Sequence, residues 1–99
     1  MINKPKKYEK TSTKEQLDQP KFLKIILLND DFTTMDFVVK ILIMFLNKTK
    51  NQAIELMLKV HNDGSAVCGI YPEDIARTIK EKISNYSRVN KQPLKCIIK

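Results

Sequence analysis

FLKIILLNDDFTTM, from Phe22 to Met35, is the stretch on which the fold turns. Its first seven residues are apolar apart from Lys24, and Ile25 and Ile26 are β-branched, so it reads as a strand buried on one or both faces. Asn29, Asp30 and Asp31 stop that strand, because their side chains compete for backbone hydrogen bonds. Thr33 or Thr34 can then N-cap a helix that carries Asp36 in its first turn.

Downstream, that helix is expected over Met35 to Leu46, with Asn47 and Lys48 breaking it. Thr49 offers a second N-cap. Lys50 to His61 reads as a second helix, because Ala53, Leu56, Met57 and Val60 follow the helical spacing. Asn62, Asp63 and Gly64 form a turn, with Gly64 suited to positive φ. Ser65 to Tyr71 reads as a second strand. Pro72 fits the first turn of a third helix, with Glu73 and Asp74 near its N-terminus. Ile75, Ile79, Ile83 and Tyr86 are expected to form that helix's inner stripe. Pro93 opens a last strand, Leu94 to Ile98. The first helix is unusually apolar, since Val39, Ile43, Met44 and Leu46 join its core positions, and a second buried face against a partner or a copy of the chain is expected.

Upstream, residues 1–20 carry five lysines against Glu9, Glu15 and Asp18, and only Ile2, Tyr8 and Leu17 could add to a core. Such a segment cannot bury enough apolar area to offset its ordering entropy, so it reads as a flexible arm ending at Pro20. The organisation is therefore an arm over residues 1–20 and one domain over residues 21–99. Its fold class is α+β, a βααβαβ sandwich in which three helices pack a small three-stranded sheet. The strand order does not follow from the sequence.

Composition narrows the function. The 99 residues are 42% apolar, enough for one modest core. The net charge of +7 has two readings. One is a nucleic-acid footprint. The other is surface charge that keeps a lysine-rich chain soluble. The spread of lysines and the presence of only two arginines, Arg77 and Arg88, favour the second. Cys68 and Cys96 belong to no CxxC or Cys/His set, so no zinc site is indicated, and their apolar surroundings make them buried free thiols. The first twenty residues lack the apolar core of a signal peptide, and the run Phe37 to Leu46 is too short to span a bilayer. A cytoplasmic location is expected, where thiols stay reduced.

The Asn29-Asp30-Asp31 cluster is the sharpest local signal. Adjacent acceptors at the end of a rigid strand suit a metal ion, an ammonium group or an ordinary strand-to-helix turn. A metal needs more ligands than the cluster offers, and the EF-hand spacing is absent. An ammonium needs only two or three acceptors around one point. His61 shares a helix face with Met57 and Val60 by its spacing. It reads either as a structural C-terminal histidine or as a polar spot beside an apolar pocket. Nothing near Cys68 marks it as an activated thiolate, and with Gly64 and Gly69 the only glycines no phosphate loop exists. No cofactor is called for.

Three stretches together resemble the ClpS adaptor family: KIILLNDDFTTMDFVV (Lys24 to Val39), AIELMLKVHNDGSAVCGIY (Ala53 to Tyr71) and QPLKC (Gln92 to Cys96). The resemblance runs from Phe22 to the end, about four-fifths of the chain. NDD-x-T-x-M followed at this spacing by LML-x-VH is more specific than either piece alone. It implies a non-enzymatic adaptor that binds substrates with a large apolar N-terminal residue (Leu, Phe, Tyr or Trp). It also implies delivery of these N-degron proteins to a Clp-family AAA+ unfoldase, of ClpA or ClpC type, paired with the ClpP peptidase. On that resemblance Asn29, Asp30 and His61 hold the free α-ammonium, and Asp31 forms the turn or meets the peptide backbone. Thr33, Met35, Val38, Met57, Val60 and Leu94 line the side-chain pocket, with Met35 rejecting β-branched guests by shape. Glu73 and Asp74 keep part of the family's unfoldase-docking pattern on the third helix, whereas Arg77 and Ile79 depart from it.

The chemistry fits this implication. An α-amine is mostly cationic at neutral pH, its pKa lying near 8. A carboxylate with neutral acceptors binds it by charge-assisted hydrogen bonds, and an acylated N-terminus would leave those acceptors unpaired. Burying one Leu or Phe side chain adds on the order of 1.5–3 kcal/mol, and methionines adapt to either guest. Two competing readings remain: a nucleic-acid or ribosome-associated module suggested by the charge, and a small hydrolase built on His61 and Cys68.

Overall fold

The computed structural model describes Gln19 and residues 21–99. The arm expected over residues 1–20 lies, but for Gln19, outside the described residues. Six elements follow: β1 (Phe22–Leu28), α1 (Met35–Leu46), α2 (Lys50–Asp63), β2 (Ser65–Pro72), α3 (Glu73–Val89) and β3 (Lys95–Ile98). The order is the βααβαβ read from the sequence.

Local chemistry sets the boundaries. Thr34 caps α1, its Oγ1 accepting the Phe37 N–H at 3.1 Å. Thr49 caps α2 in a reciprocal pair with Gln52, and Gly64 ends it at φ +89°. Pro72 stands just before α3 rather than inside its first turn. The end of α3 is a Schellman turn: the Gln92 N–H reaches the Ser87 carbonyl at 2.8 Å and the Lys91 N–H the Arg88 carbonyl at 3.1 Å. Lys91 occupies the left-handed position at φ 59°.

The sheet has the order β2-β1-β3, antiparallel throughout, so the first strand is its centre and the last strand one of its edges. A bulge interrupts β1 against β2: Ile25 faces Gly69 and Ile26 faces Val67, leaving Cys68 as the extra residue. Ile25 and Leu27 of β1, Ala66 and Cys68 of β2, and Cys96 of β3 point to the covered face. There they meet Ile41 and Leu42 of α1, Ala53 and Val60 of α2, and Ala76 and Ile83 of α3. Tyr86 ties α3 to α1, stacking on Phe37 at 5.7 Å and meeting Phe45 edge-on at 5.6 Å.

One expectation needs correcting. The buried line of α3 runs through Ala76, Ile83 and Ser87, with Ile79 and Tyr86 flanking it, while Ile75 is 46% exposed. Ala76 lets the first turn of the helix approach the core closely, and its neighbour Ile75 is thereby rotated outward. On α1, Leu46 is buried in the shared core, whereas Ile43 and Met44 face solvent.

Candidate functional site

The end of β1 is joined to the end of α2 by one backbone bond, the Asn29 N–H donating to the Gly64 carbonyl at 2.9 Å. Gly64 bonds back to the Val60 carbonyl at 2.9 Å. The last turn of α2, which carries Val60 and His61, is thus held against the residue that follows β1. Residues far apart in sequence become neighbours because a glycine can adopt the left-handed conformation that turns α2 into β2.

The loop from Asn29 to Thr34 is built around the Asp30 carboxylate. Its Oδ1 accepts the N–H groups of Phe32 at 2.8 Å and Thr33 at 2.7 Å, and its Oδ2 accepts the Thr33 hydroxyl at 2.7 Å. Partial burial by itself pushes the Asp30 carboxyl up, but the hydrogen bonds from the Thr33 side chain and the Thr33 and Phe32 backbones outweigh it and hold the group below the usual carboxylate range. A carboxylate has about four lone-pair sites, so three donors leave room for another. From the opposite side Gln92, 58 positions away, accepts the Thr34 N–H at 3.2 Å through its Oε1. Gln92 entered the sequence reading only as the first residue of the QPLKC stretch, without a site role, and no local pattern links it to Thr34.

This loop and the two helices enclose an open cleft of about 230 Å³. Asn29, Asp30, Asp31 and His61 supply its polar groups, with the Thr33 side chain among them. Met35, Val38, Met57 and Val60 form its apolar wall. Val38 and Val60 are buried, Met57 is half-buried, and Met35 is 46% exposed at the rim. Nine of the ten residues expected at the amine and side-chain subsites therefore line one cleft. Leu94 does not; it is 6% exposed within the core.

Glu73 and Asp74 lie elsewhere, at the start of α3. Glu73 receives the Arg77 guanidinium, with Nη2 at 2.7 Å and Nε at 3.1 Å of one carboxylate oxygen. That hydrogen bond, with the charge of Arg77, holds the Glu73 carboxyl low. Among the described residues no group of three or more His, Cys, Asp or Glu side chains is gathered as a metal would need. Cys68 makes a poor nucleophile: burial pushes its thiol up to about 11, and its Sγ donates to the Ala66 carbonyl at 3.5 Å. No described helix is long and apolar enough to cross a membrane.

The arrangement can seat a small cation at one end and an apolar group at the other. Residues 18–97 match the family model described as ATP-dependent Clp protease adaptor protein ClpS. An adaptor of that name from Nitrosospira multiformis is 48% identical over 85 residues, covering 86% of this chain and 83% of its own. Another, from Wolinella succinogenes, is 43% identical over 100 residues, covering 99% and 97%. Among solved structures, Agrobacterium tumefaciens ClpS2 bound to L-phenylalaninamide superposes with a TM-score of 0.79 at 30% identity, covering 82% of this chain and 98% of that one.

Proposed function

The chain belongs to the ClpS family of Clp protease adaptor proteins, and from that premise we propose that it binds substrates by a free, large apolar N-terminal residue and delivers them to a ClpA- or ClpC-type AAA+ unfoldase in the cytoplasm. The observation that carries the proposal is the single cleft with acceptors at one end and an aliphatic–methionine wall at the other. Phenylalaninamide, the ligand of the Agrobacterium neighbour, combines a free amine with a large apolar side chain. Those are the two features that the cleft's ends are suited to hold.

In this reading the Asn29 side-chain carbonyl and His61 accept from the α-ammonium. Asp30 supplies negative charge at short range while building the loop that aims these groups. Asp31, exposed beside it, meets the peptide backbone. Val38, Met57 and Val60 receive the first side chain, and Met35 closes over it. Glu73 and Asp74 serve unfoldase docking, with Arg77 already neutralising much of Glu73. Residues 1–20 act as a delivery arm beside the folded residues 21–99. No bond is made or broken, so the protein works as an adaptor and not as an enzyme.

Fluorescence anisotropy with two labelled peptides tests the reading. Both begin with Phe and differ only in acetylation of the α-amine. The free peptide is expected to bind and the acetylated one to lose at least about tenfold in affinity, since the acceptors are left unpaired. Equal binding of the two, or binding of neither, overturns the proposal.

A further inference from the structure

Among the described residues the helices cover only one face of the sheet. Pairing puts Lys24, Ile26 and Leu28 of β1 on the other, in line with Lys95 and Ile97 of β3 and with Lys99 just beyond it. Across β2 the bulge turns both Val67 and Ile70 outward to the same face, opposite Ile26 and Lys24, where they are 44% and 57% exposed. Ile26, between Val67 and Ile97 in the pairing, is 8% exposed and stands outside the main core cluster. The three strands contain no Asp or Glu. The result is an aliphatic centre with lysines along one side.

At one end this face runs into the start of α3. Phe22, 60% exposed, pairs with Pro72, and the next residue, Glu73, bonds through its N–H to the Lys21 carbonyl at 2.8 Å. Ile75, 46% exposed, continues the apolar surface onto the helix.

We propose that the uncovered sheet face is a second docking surface for the unfoldase, fitting a protein surface that sets carboxylates beside an aliphatic patch. The inference rests on the adaptor reading, through continuity with the α3 residues assigned to docking. Charge complementarity fixes the chemistry of the occupant. A second copy of this chain would bring lysines against lysines, and like charges facing each other oppose association. A phosphate backbone would satisfy the lysines but leave the aliphatic centre unused.

The test measures binding of the full chain to the assembled Clp unfoldase of the same organism, held with a non-hydrolysable ATP analogue. Lys24→Glu/Lys99→Glu and, separately, Ile70→Ser are compared with the parent and with Glu73→Ala/Asp74→Ala. Affinity for a Phe-initiated peptide is read in each as a check on folding. The charge-swapped pair is expected to lose about tenfold or more at ~0.1 M salt, and the loss should shrink as salt rises. Ile70→Ser should lose roughly threefold or more. Peptide affinity should stay within about twofold of the parent in both. Sheet variants that bind the unfoldase like the parent, while the α3 variant does not, overturn this inference and leave the adaptor reading standing. A parent that binds peptide but no unfoldase overturns both delivery and this surface. A parent that sediments as a dimer, and sheet variants that do not, assign the face to a second copy and overturn the proposal.

Discussion

Asp30 has two duties that substitution can separate. Its carboxylate holds the loop by accepting from Phe32 and Thr33, and its charge faces the cleft. Asn keeps an Oδ1 acceptor for the two backbone N–H groups but has no charge; Ala keeps neither. Asp30→Asn is therefore expected to melt below the parent but above Asp30→Ala, and both to bind a Phe-initiated peptide at least about tenfold more weakly. Because the folded pKa is depressed, the stability this carboxylate contributes is present at neutral pH and lost as pH falls through its folded value. Loosening of the loop should begin below about pH 4. Exchange of the Thr33 amide, followed by NMR down a pH series, measures it. Ser87 gives the opposite case. Its hydroxyl is buried in α3 without a hydrogen-bond partner. Ser87→Ala removes an unpaired polar group at little cost in volume, and chemical denaturation should show a gain of about 1 kcal/mol.

At the scale of elements, the turns carry the specification. Lys91 sits in the left-handed region to close the Schellman turn of α3, where a Cβ is penalised. Lys91→Gly is expected to stabilise the chain by about 0.5–1 kcal/mol, measured as a rise in the denaturation midpoint without a change in slope. Element identities were legible because their signals are local. Thr34, Thr49 and Gly64 announce helix ends by side-chain chemistry alone. The outward turn of Ile75 was not legible, since helix periodicity admits several apolar stripes and contact with Ala76 selects one. Nor was the bulge at Cys68, because register depends on which strand lies alongside. The site divides the same way. The Asn-Asp-Asp turn is visible in the sequence, but no local pattern brings His61 to Asn29, and only the family resemblance joined them. Leu94, carried over with the rest, is buried in the same core cluster as Val38 and Val60. The inward hydrogen bonds of Asp30 could have been suspected from a threonine three positions on.

For the whole molecule, both thiols are sealed in one core. Burial pushes each up to about 11, against about 8.5 in an unfolded chain. A folded value above the unfolded one means that this part of the stability is complete below about pH 8.5 and declines as pH rises towards 11. In native protein at pH 8, iodoacetamide is expected to label neither Cys68 nor Cys96 except at the rate of global opening. Denaturant titrations followed by mass spectrometry should therefore give labelling and unfolding curves that coincide. Fast labelling of Cys68 alone would revive the hydrolase reading.

The strand order has a consequence for synthesis. Of the described elements β1 is the first to leave the ribosome, yet one of its two edges is filled only by β3, the last of them to emerge. Gln92, which steadies the loop of the cleft, arrives just before it. A nascent chain therefore carries an open strand edge and an unsupported cleft until β3 has emerged and paired. Completion of the cleft's surroundings therefore waits on β3.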